Sequence, residues 1–248
     1  MKTFYLTDSG KVRDHNEDSV TIVRNKTGEI LMAVADGMGG HQSGEIASSI
    51  AIGHLGKRFS EISSIGEQSD AVAWVKENIN EINYLIFKHV DSNPDAQGMG
   101  TTLVVAIKTA EFLLFANIGD SSGFVLKDGV LHKITQDHTL VNLLVETGEL
   151  TEEQAAVHPR KNVLMRALGA NNPAEIDIFK VEDMDVEGIL LCSDGLTSML
   201  QPEQIEKVLN GDGTLQEKLA KLIKKCNNRG GLDNISIAYL DKKGGEEE

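Results

Sequence analysis

Four aspartates occur at the ends of apolar stretches in this 248-residue chain, and their surroundings suggest a common chemistry. They stand in the segments Ala35-Asp36-Gly37, Gly119-Asp120-Ser121, Ser193-Asp194-Gly195 and Asp233-Asn234. The first three interrupt stretches that read as buried strands, where an ionised carboxylate is strongly unfavourable unless something compensates it. Because Mg²⁺ and Mn²⁺ take carboxylate, carbonyl and water ligands, the pattern predicts a divalent metal pocket at the strand ends.

The aspartates can be assigned to two cations. Asp36 would bridge both ions through its two oxygens, the Gly37 carbonyl would bind one of them, and Asp194 and Asp233 would complete the other. Two divalent ions roughly 3.5–4 Å apart ionise a water held between them and clamp the oxygens of a phosphoryl group. The predicted nucleophile is therefore a metal-bridging hydroxide, which makes a Ser or Cys nucleophile unnecessary.

Two further residues fit such a reaction. The planar guanidinium of Arg13 matches two phosphate oxygens at once, which favours it as the substrate phosphate-binding group. His41 follows the metal motif in a glycine-rich segment and could protonate a leaving alkoxide as general acid. Taken singly, an Asp-Gly pair usually marks a turn, an arginine is often a surface charge, and most histidines are neither ligands nor acids. Only their combination favours a catalytic site.

Composition excludes several classes of function. The chain is 40% hydrophobic and 25% charged, as in ordinary globular proteins, and its 24 basic and 38 acidic residues give a formal charge of −14. This charge argues against nucleic acid or an anionic membrane as the main partner. No apolar stretch has the length of a signal peptide or a membrane span, which predicts a cytoplasmic protein without membrane insertion. Cys192 and Cys226 are too few for a disulfide framework and are expected to be core thiols.

Hydrophobic periodicity predicts strands and helices in separate groups. The pattern predicts a helix over residues 43–59 and a second helix from Ser69 or Asp70, either of which could cap it, to about residue 90. A β-meander is expected over residues 101–134, with a hairpin turn at Lys127-Asp128-Gly129. Apolar stretches predict further strands at residues 3–7, 19–24, 30–35, 188–192 and 235–240.

The remaining elements complete a layered domain. Thr214 and Glu217 predict a capping box that opens a helix, whereas residues 137–172 are irregular and partly helical. Because alternating βαβ units are absent, the grouped strands and helices favour an α+β fold. We expect one domain over residues 1–242 and a disordered tail over residues 243–248. Nothing in the sequence suggests an obligate dimer, and we therefore expect a monomer.

The order of the motifs resembles a known family almost from end to end. The chain is similar to the metal-dependent protein serine/threonine phosphatases of the PPM, or type 2C, family, and especially to their compact bacterial members. The motifs that carry the resemblance are Thr7-Asp8-Ser9-Gly10, Arg13-Asp14-His15-Asn16-Glu17-Asp18, Ala35-Asp36-Gly37-Met38-Gly39-Gly40-His41, Gly98-Met99-Gly100-Thr101-Thr102, Ile118-Gly119-Asp120-Ser121, Asp137-His138, Cys192-Ser193-Asp194-Gly195-Leu196-Thr197 and Gly231-Leu232-Asp233-Asn234.

The resemblance implies a fold and additional roles. It implies a four-layer α-β-β-α sandwich of two antiparallel sheets flanked by helices, with residues 137–172 as a flap beside the active site. It also implies that Asp120 and Asp194 hold a third, weaker metal ion, and that Glu17 and Asp18 act through coordinated waters. One departure concerns Ser122, which stands where the family commonly has arginine and thereby weakens the case for that third ion.

These observations predict an Mn²⁺- or Mg²⁺-dependent phosphatase that hydrolyses phosphoserine and phosphothreonine in proteins. By the resemblance, its partners would be a membrane-anchored Ser/Thr kinase, which it would oppose, and the substrates of that kinase. Two alternatives remain open. One is a non-catalytic regulator that binds phosphorylated partners or metals, and the other is a phosphatase of small phosphomonoesters that shares the metal chemistry.

Overall fold

The chain forms two stacked antiparallel sheets. The computed structural model describes residues 1–39, 43–182 and 185–242. In these ranges the first sheet contains, in spatial order, β1 (Lys2–Asp8), β11 (Ile235–Asp241), β10 (Gly188–Cys192), β7 (Ser122–Lys127) and β8 (Val130–Lys133). The second contains β2 (Asp18–Arg24), β3 (Ile30–Met38), β5 (Leu103–Lys108), β6 (Leu113–Ile118) and β9 (Asp177–Val181), and the short β4 (Gly100–Thr101) pairs with the end of β3.

Helices cover the outer face of each sheet. The second sheet carries α1 (Ser43–Glu61) and α2 (Gln68–Ser92), and the first carries α5 (Asp194–Thr197), α6 (Pro202–Leu209) and α7 (Leu215–Asn228). The segment after β8 contains the short helices α3 (Leu140–Glu146) and α4 (Glu152–Ala156), and a 3₁₀ turn occupies Pro94–Ala96. The predicted α-β-β-α sandwich is therefore confirmed.

The strand β3 shows why the layers form. Its residues alternate between two buried faces: Leu31 and Ala33 pack beneath the helices α1 and α2, whereas Ile30, Met32 and Val34 pack between the two sheets. Because successive side chains of a strand point to opposite faces, a strand covered on both sides must be apolar throughout. The unbroken run Ile30–Ala35 meets this requirement, and the polar motif follows directly at the end of the strand.

Two predictions about these elements are wrong. The residue that caps α2 is Glu67 rather than Ser69 or Asp70, because Asp70 lies inside the first turn and accepts a hydrogen bond from the Glu67 amide at 2.9 Å. The segment 101–134 is not one meander, since β5 and β6 pair in the second sheet whereas β7 and β8 pair in the first. The chain crosses between the sheets at Gly119, whose φ of 104° suits glycine.

Other predictions are confirmed. The hairpin between β7 and β8 turns at Asp128 and Gly129, both with positive φ, and Thr214 forms its capping box with Glu217. Both cysteines are buried free thiols. The strand β9 and the helix α6 were not predicted from the sequence. In the described ranges, no helix combines the length and the apolar character that crossing a bilayer requires. The predicted tail, residues 243–248, lies outside those ranges.

Candidate active site

A cleft of about 440 Å³ opens at one edge of the two sheets and collects most of the predicted site residues. One wall carries Arg13, Glu17, Asp36, Gly37, Asp120, Asp194 and Asp233. The facing wall belongs to the segment after β8 and carries Asn162, Leu164, Met165, Arg166, Ala167 and Ala170. Asp18 lies beside Asp36 on the neighbouring strand and is not among the residues that line the cleft, and His41, the predicted general acid, lies outside the described residues. The structure thus brings together residues that are more than 200 positions apart.

Strand register explains how the aspartates of the first sheet meet. The antiparallel pair β10 and β11 places Cys192 opposite Ile237, so the chain leaving β10 and the chain entering β11 meet at the same end. Asp194 follows the first of these strands and Asp233 precedes the second. The sheet therefore presents both carboxylates at one edge.

The second sheet supplies the other two carboxylates by the same rule. Asp36 lies near the end of β3, directly opposite Asp18 on β2. Asp120 follows β6, whose last residue Ile118 pairs with Leu103 at the start of β5. The ends of β3 and β6 thus lie at one edge of the second sheet, which faces the cleft together with the matching edge of the first sheet.

The clustered carboxylates strongly perturb one another. Burial raises the pKa of Asp36 well above its usual range, and the charges of Asp18, Asp194 and Asp120 raise it further. Burial is also the main cause that raises the pKa of Asp120 to about 7 and that of Asp194 to about 6. Each ionised carboxylate in this poorly solvated cluster raises the pKa values of its neighbours, as burial also does. The cleft is therefore short of positive charge.

Asp18 closes the floor of this cluster. Its Oδ2 accepts a hydrogen bond of 2.7 Å from the Ser193 hydroxyl, which joins the two sheets directly beneath the cleft. Its Oδ1 is buried and has no partner among the described residues. Burial raises the pKa of this carboxyl to about 7. A group in this state, beside Asp36 on the neighbouring strand, is suited to hydrogen-bonding a water at the floor of the cleft.

Glu17 and Gly37 adjoin the start of α1. Burial raises the pKa of Glu17, and the positive charge of Arg13 opposes that change. The Gly37 amide donates a hydrogen bond of 3.1 Å to the Glu17 carbonyl, and any side chain at Gly37 would clash with the backbone of Gly44. A glycine is therefore required where the end of β3 passes beneath the helix, and Gly37 lines the cleft.

Arg13 lies at the rim of the cleft. Its Nη2 donates a hydrogen bond of 2.8 Å to Asp233 Oδ2, and this bond is the main cause that raises the pKa of the guanidinium. The side chain remains 52% exposed, so much of the guanidinium is open to a ligand. The loop that carries it is fastened to the loop before β11 by the hydrogen bond from the Lys11 amide to the Gly231 carbonyl.

Three polar residues that hold the backbones of Asp36 and Glu17 were not predicted as site residues. The Thr102 hydroxyl accepts a hydrogen bond from the Asp36 amide at 3.0 Å and contacts the Ser121 hydroxyl at 2.7 Å, while Thr101 donates to the Asp36 carbonyl. Asn234 uses its side chain to bind the Glu17 amide at 2.8 Å and the carbonyls of the Arg13 loop. In the sequence these residues are recognisable only as two threonines in a stretch rich in β-branched residues and as an asparagine directly after the predicted ligand Asp233.

The donor set fits divalent cations. Asp194 Oδ1 is buried without a hydrogen-bond partner among the described residues, and carboxylate and carbonyl oxygens are the ligands that Mg²⁺ and Mn²⁺ prefer. Within the described ranges, no three His, Cys, Asp or Glu side chains form a closed ligand set as they stand. The fit therefore rests on burial, charge and unused carboxylate oxygens. Near Ser122, the positive charge of Lys133 opposes the rise in the pKa of Asp120 only weakly, since Lys133 is paired with Asp137, whose charge raises that pKa.

Comparison with known proteins agrees with this arrangement. Residues 10–234 match the family model described as Protein phosphatase 2C. The chain is 40% identical over 242 residues to the serine/threonine phosphatase stp of Listeria monocytogenes serovar 1/2a, covering 98% of this chain and 96% of that protein. It is 35% identical over 243 residues to the protein phosphatase PhpP of Streptococcus pneumoniae, covering 97% of each.

Solved structures show the same fold. The serine/threonine phosphatase Stp1 from Staphylococcus aureus superposes with a TM-score of 0.92 at 34% identity, covering 98% of this chain and 95% of that one. The catalytic domain of the serine threonine protein phosphatase PstP in complex with two manganese ions gives a TM-score of 0.79 at 34% identity, and 97% of each chain is covered. The chain therefore belongs to the protein phosphatase 2C family and is a protein phosphatase.

Proposed function

We propose that this phosphatase removes phosphate from phosphoserine and phosphothreonine side chains of proteins. The observation that carries the proposal is the wall of buried carboxylates with raised pKa values, which lies beside a half-exposed arginine. Such a wall repels a phosphate dianion unless divalent cations lie between the two. The names of the relatives stp and PhpP support a phosphoprotein as the substrate.

The cations would be Mn²⁺ or Mg²⁺. Asp36, Asp194, Asp233 and the Gly37 carbonyl would hold a core pair, Asp120 with Asp194 would hold a weaker third ion, and Glu17 and Asp18 would act through waters. The two manganese ions of the related PstP domain support the core pair. When bound, these cations would supply an ionised, bridging water as the nucleophile and would offset the charge of the phosphate.

The remaining roles belong to side chains around the phosphate. Arg13 would hold two oxygens of the phosphate, and its hydrogen bond to Asp233 would orient the guanidinium toward the cleft. His41 would protonate the serine or threonine alkoxide as it leaves. The segment 137–172, hereafter the flap, would cover the substrate, since six of its residues line the wall that faces the carboxylates. We further propose a cytoplasmic protein that opposes a membrane-anchored Ser/Thr kinase.

Turnover of a phosphothreonine peptide and of p-nitrophenyl phosphate, with and without Mn²⁺, tests the proposal. We expect Mn²⁺-dependent hydrolysis of both, with the higher kcat/KM for the peptide. The absence of turnover with Mn²⁺ or Mg²⁺ would identify a non-catalytic regulator. A higher kcat/KM for small phosphomonoesters would identify a small-molecule phosphatase.

Substitution of His41 tests the acid role separately. His41→Ala should slow hydrolysis of the phosphothreonine peptide more than that of p-nitrophenyl phosphate, whose good leaving group needs little protonation. His89→Ala, which changes a histidine in the last turn of α2 away from the cleft, is the matched control. Equal losses on the two substrates in the His41 variant would remove the acid role.

A further inference from the structure

His138 joins the flap to the turn that carries Asp120. Its backbone amide donates to the Gly119 carbonyl at 2.9 Å, and its backbone carbonyl accepts from the Met165 amide at 2.8 Å. Met165 lines the flap wall of the cleft and Asp120 lines the carboxylate wall. One buried residue thus contacts both walls.

The imidazole of His138 adds two contacts of defined direction. Its Nδ1 lies 3.1 Å from the Gly119 amide nitrogen, which can only donate, so Nδ1 must be the unprotonated acceptor. In the neutral ring Nε2 therefore carries the proton and donates a hydrogen bond of 3.0 Å to Asp177 Oδ2, while Arg166 Nη1 lies 3.4 Å from the same nitrogen. The peptide unit before Asp120 and the carboxylate of Asp177 together select one tautomer of the ring.

Arg166 extends this network into the cleft. Its Nη1 donates to Asp177 Oδ1 at 3.0 Å, so the two oxygens of one carboxylate bind the imidazole and the guanidinium. Glu175 lies 3.6 Å from the Nε of the same arginine. Because Arg166 lines the flap wall, the orientation of His138 is coupled to a flap side chain through Asp177.

The turn at Gly119, which His138 contacts, is also restricted by Thr102. Gly119 has a φ of 104°, and a side chain there would clash with Thr102, the residue whose hydroxyl accepts from the Asp36 amide. Both the amide and the carbonyl of Gly119 bind His138, through the ring and the backbone respectively. The direction in which Asp120 leaves the turn is therefore set by contacts to Thr102 on one side and His138 on the other.

We infer that His138 is a positioning residue that fixes the Asp120 turn, and that Asp177, itself bound by Arg166, holds its imidazole in the required orientation. The inference rests on the proposed role of Asp120 in holding a weaker cation. Loss of the ring contacts would loosen the Asp120 turn, whereas Asp36 and Asp233, which His138 does not contact, would keep their places.

Two substitutions test the two hydrogen bonds of the imidazole, to Gly119 and to Asp177, separately. His138→Asn keeps an oxygen near the position of Nδ1 but cannot reach Asp177, whereas His138→Gln keeps an amide near Nε2 and loses the acceptor for Gly119. In metal-free protein, we expect hydrogen exchange of the Gly119 amide to accelerate about tenfold in His138→Gln and to change little in His138→Asn. His132→Gln, which alters an exposed histidine on β8, is the control. Unchanged Gly119 exchange in His138→Gln would overturn the inference.

Metal binding and kinetics test whether His138 affects the cation proposed at Asp120. Calorimetry should show that the weakest Mn²⁺ step weakens about tenfold in His138→Gln, while the tighter steps stay unchanged. Asp177→Ala, at a partly exposed site that should fold normally, should weaken the same step in the same direction.

A double-mutant cycle with Asp120→Asn distinguishes positioning from general destabilisation. If His138 acts through Asp120, the loss of kcat/KM caused by His138→Gln should disappear in the Asp120→Asn background. Additive losses would contradict the inference. If Asp120→Asn alone altered no Mn²⁺ step, the proposed ion at Asp120 would be wrong, and the Gly119 exchange data would still decide the role of His138.

Discussion

The two walls of the cleft differ in how the fold holds them. The carboxylate wall is built from the ends of paired strands, where strand register places the aspartates and hydrogen bonds to Thr101 and Thr102 hold the Asp36 backbone. The flap wall follows two helices of seven and five residues, in which Val141 is the only buried residue of the described set. The same cleft therefore has one wall built from strand ends and one wall built from a segment that follows two short, largely exposed helices.

This difference between the two walls indicates which of them contributes more to the free energy of unfolding. The carboxylate wall brings like charges together in a buried place, and their repulsion lowers the free energy of unfolding. Packing of the surrounding sheets compensates this loss. The flap is joined to the sheets at a few points, among them the paired backbone hydrogen bonds between Leu168 and Thr101 and the side chain of Asn83, which binds Gly169 and Asn171. Substitutions in the first wall should therefore change metal binding and stability together, and substitutions on the flap surface should change neither.

The largest effect is expected from Asp36→Asn. Because Asp36 is the proposed ligand of both core cations, kcat should fall beyond the roughly 10–100-fold loss that follows removal of an outer-shell partner. The metal-free variant should instead be more stable than the wild type, by on the order of 1 kcal/mol or more, since one member of the repelling cluster becomes neutral. Phosphatase assays with saturating Mn²⁺ and urea unfolding of metal-free protein check both parts.

A matched control for this variant is Asp137→Asn. Asp137 is a partly exposed carboxylate near the same cleft that forms a surface ion pair with Lys133 at 2.7 Å. Such pairs contribute little to stability, so the free energy of unfolding should change by less than about 1 kcal/mol. An Asp36→Asn protein with normal kcat, or one that unfolds more easily without metal, would show that this wall is not the proposed cation site.

The dependence of stability on pH is the next largest effect. The carboxyls of Asp18, Asp120 and Asp194 have pKa values raised to about 7, 7 and 6 in the folded protein, chiefly by burial. Groups with a raised folded pKa stabilise the protein below their unfolded pKa, near 4, and this stabilisation is lost as the pH rises through 6 to 7. Metal-free protein should therefore become less stable between pH 5.5 and 8.

Added Mn²⁺ should reverse that trend, because a cation binds the ionised carboxylates and its stabilising effect grows as they lose their protons. Thermal unfolding at several pH values, with Mn²⁺ or with a chelator, measures both curves. A metal-free protein that gained stability from pH 5.5 to 8 would contradict the repulsion assigned to this wall. The variant Asp120→Asn should show a shallower slope than the wild type.

Much of the carboxylate wall can be predicted from the sequence because its residues follow recognisable strands. Apolar runs end at Asp36, Asp120 and Asp194, and the ends of antiparallel neighbours meet at one edge. The supporting threonines are harder to predict, since Thr101 and Thr102 read as ordinary β-branched strand residues. Only the register of β4 and β5 against β3 shows that they face the Asp36 backbone.

The flap and the crossing between sheets depend on information that local patterns lack. The segment 101–134 contains four strands with short connections, which favours a meander, yet Gly119 sends the chain to the other sheet. The strand β9 is an edge strand with half-buried residues, so its alternation is weak. The role of His138 as a bridge requires β9 to bring Asp177 beside Asn117, which no local pattern indicates.

A smaller effect is expected from Thr102→Val, which tests the support of the carboxylate wall. The change keeps the shape of the side chain but leaves the Asp36 amide and the Ser121 hydroxyl without their buried partner. Such a loss costs about 1–3 kcal/mol of unfolding free energy, and kcat should fall because Asp36 is less firmly held. Thr147→Val, at an exposed threonine of the flap, is the control, and equal destabilisation by both would remove the distinction between the walls.

The smallest effect is expected from Val157→Ser on the flap surface. Val157 is the C-cap residue that follows α4 and is 82% exposed, so its substitution removes almost no buried apolar area. The free energy of unfolding should stay within about 0.5 kcal/mol of the wild type, and hydrolysis of p-nitrophenyl phosphate should be unchanged. A lower kcat/KM on a phosphoprotein alone would show that this apolar side chain contacts the substrate. If Val157→Ser lowered the free energy of unfolding as much as Thr102→Val, the flap would be held as firmly as the sheets. That result would contradict the difference proposed between the two walls.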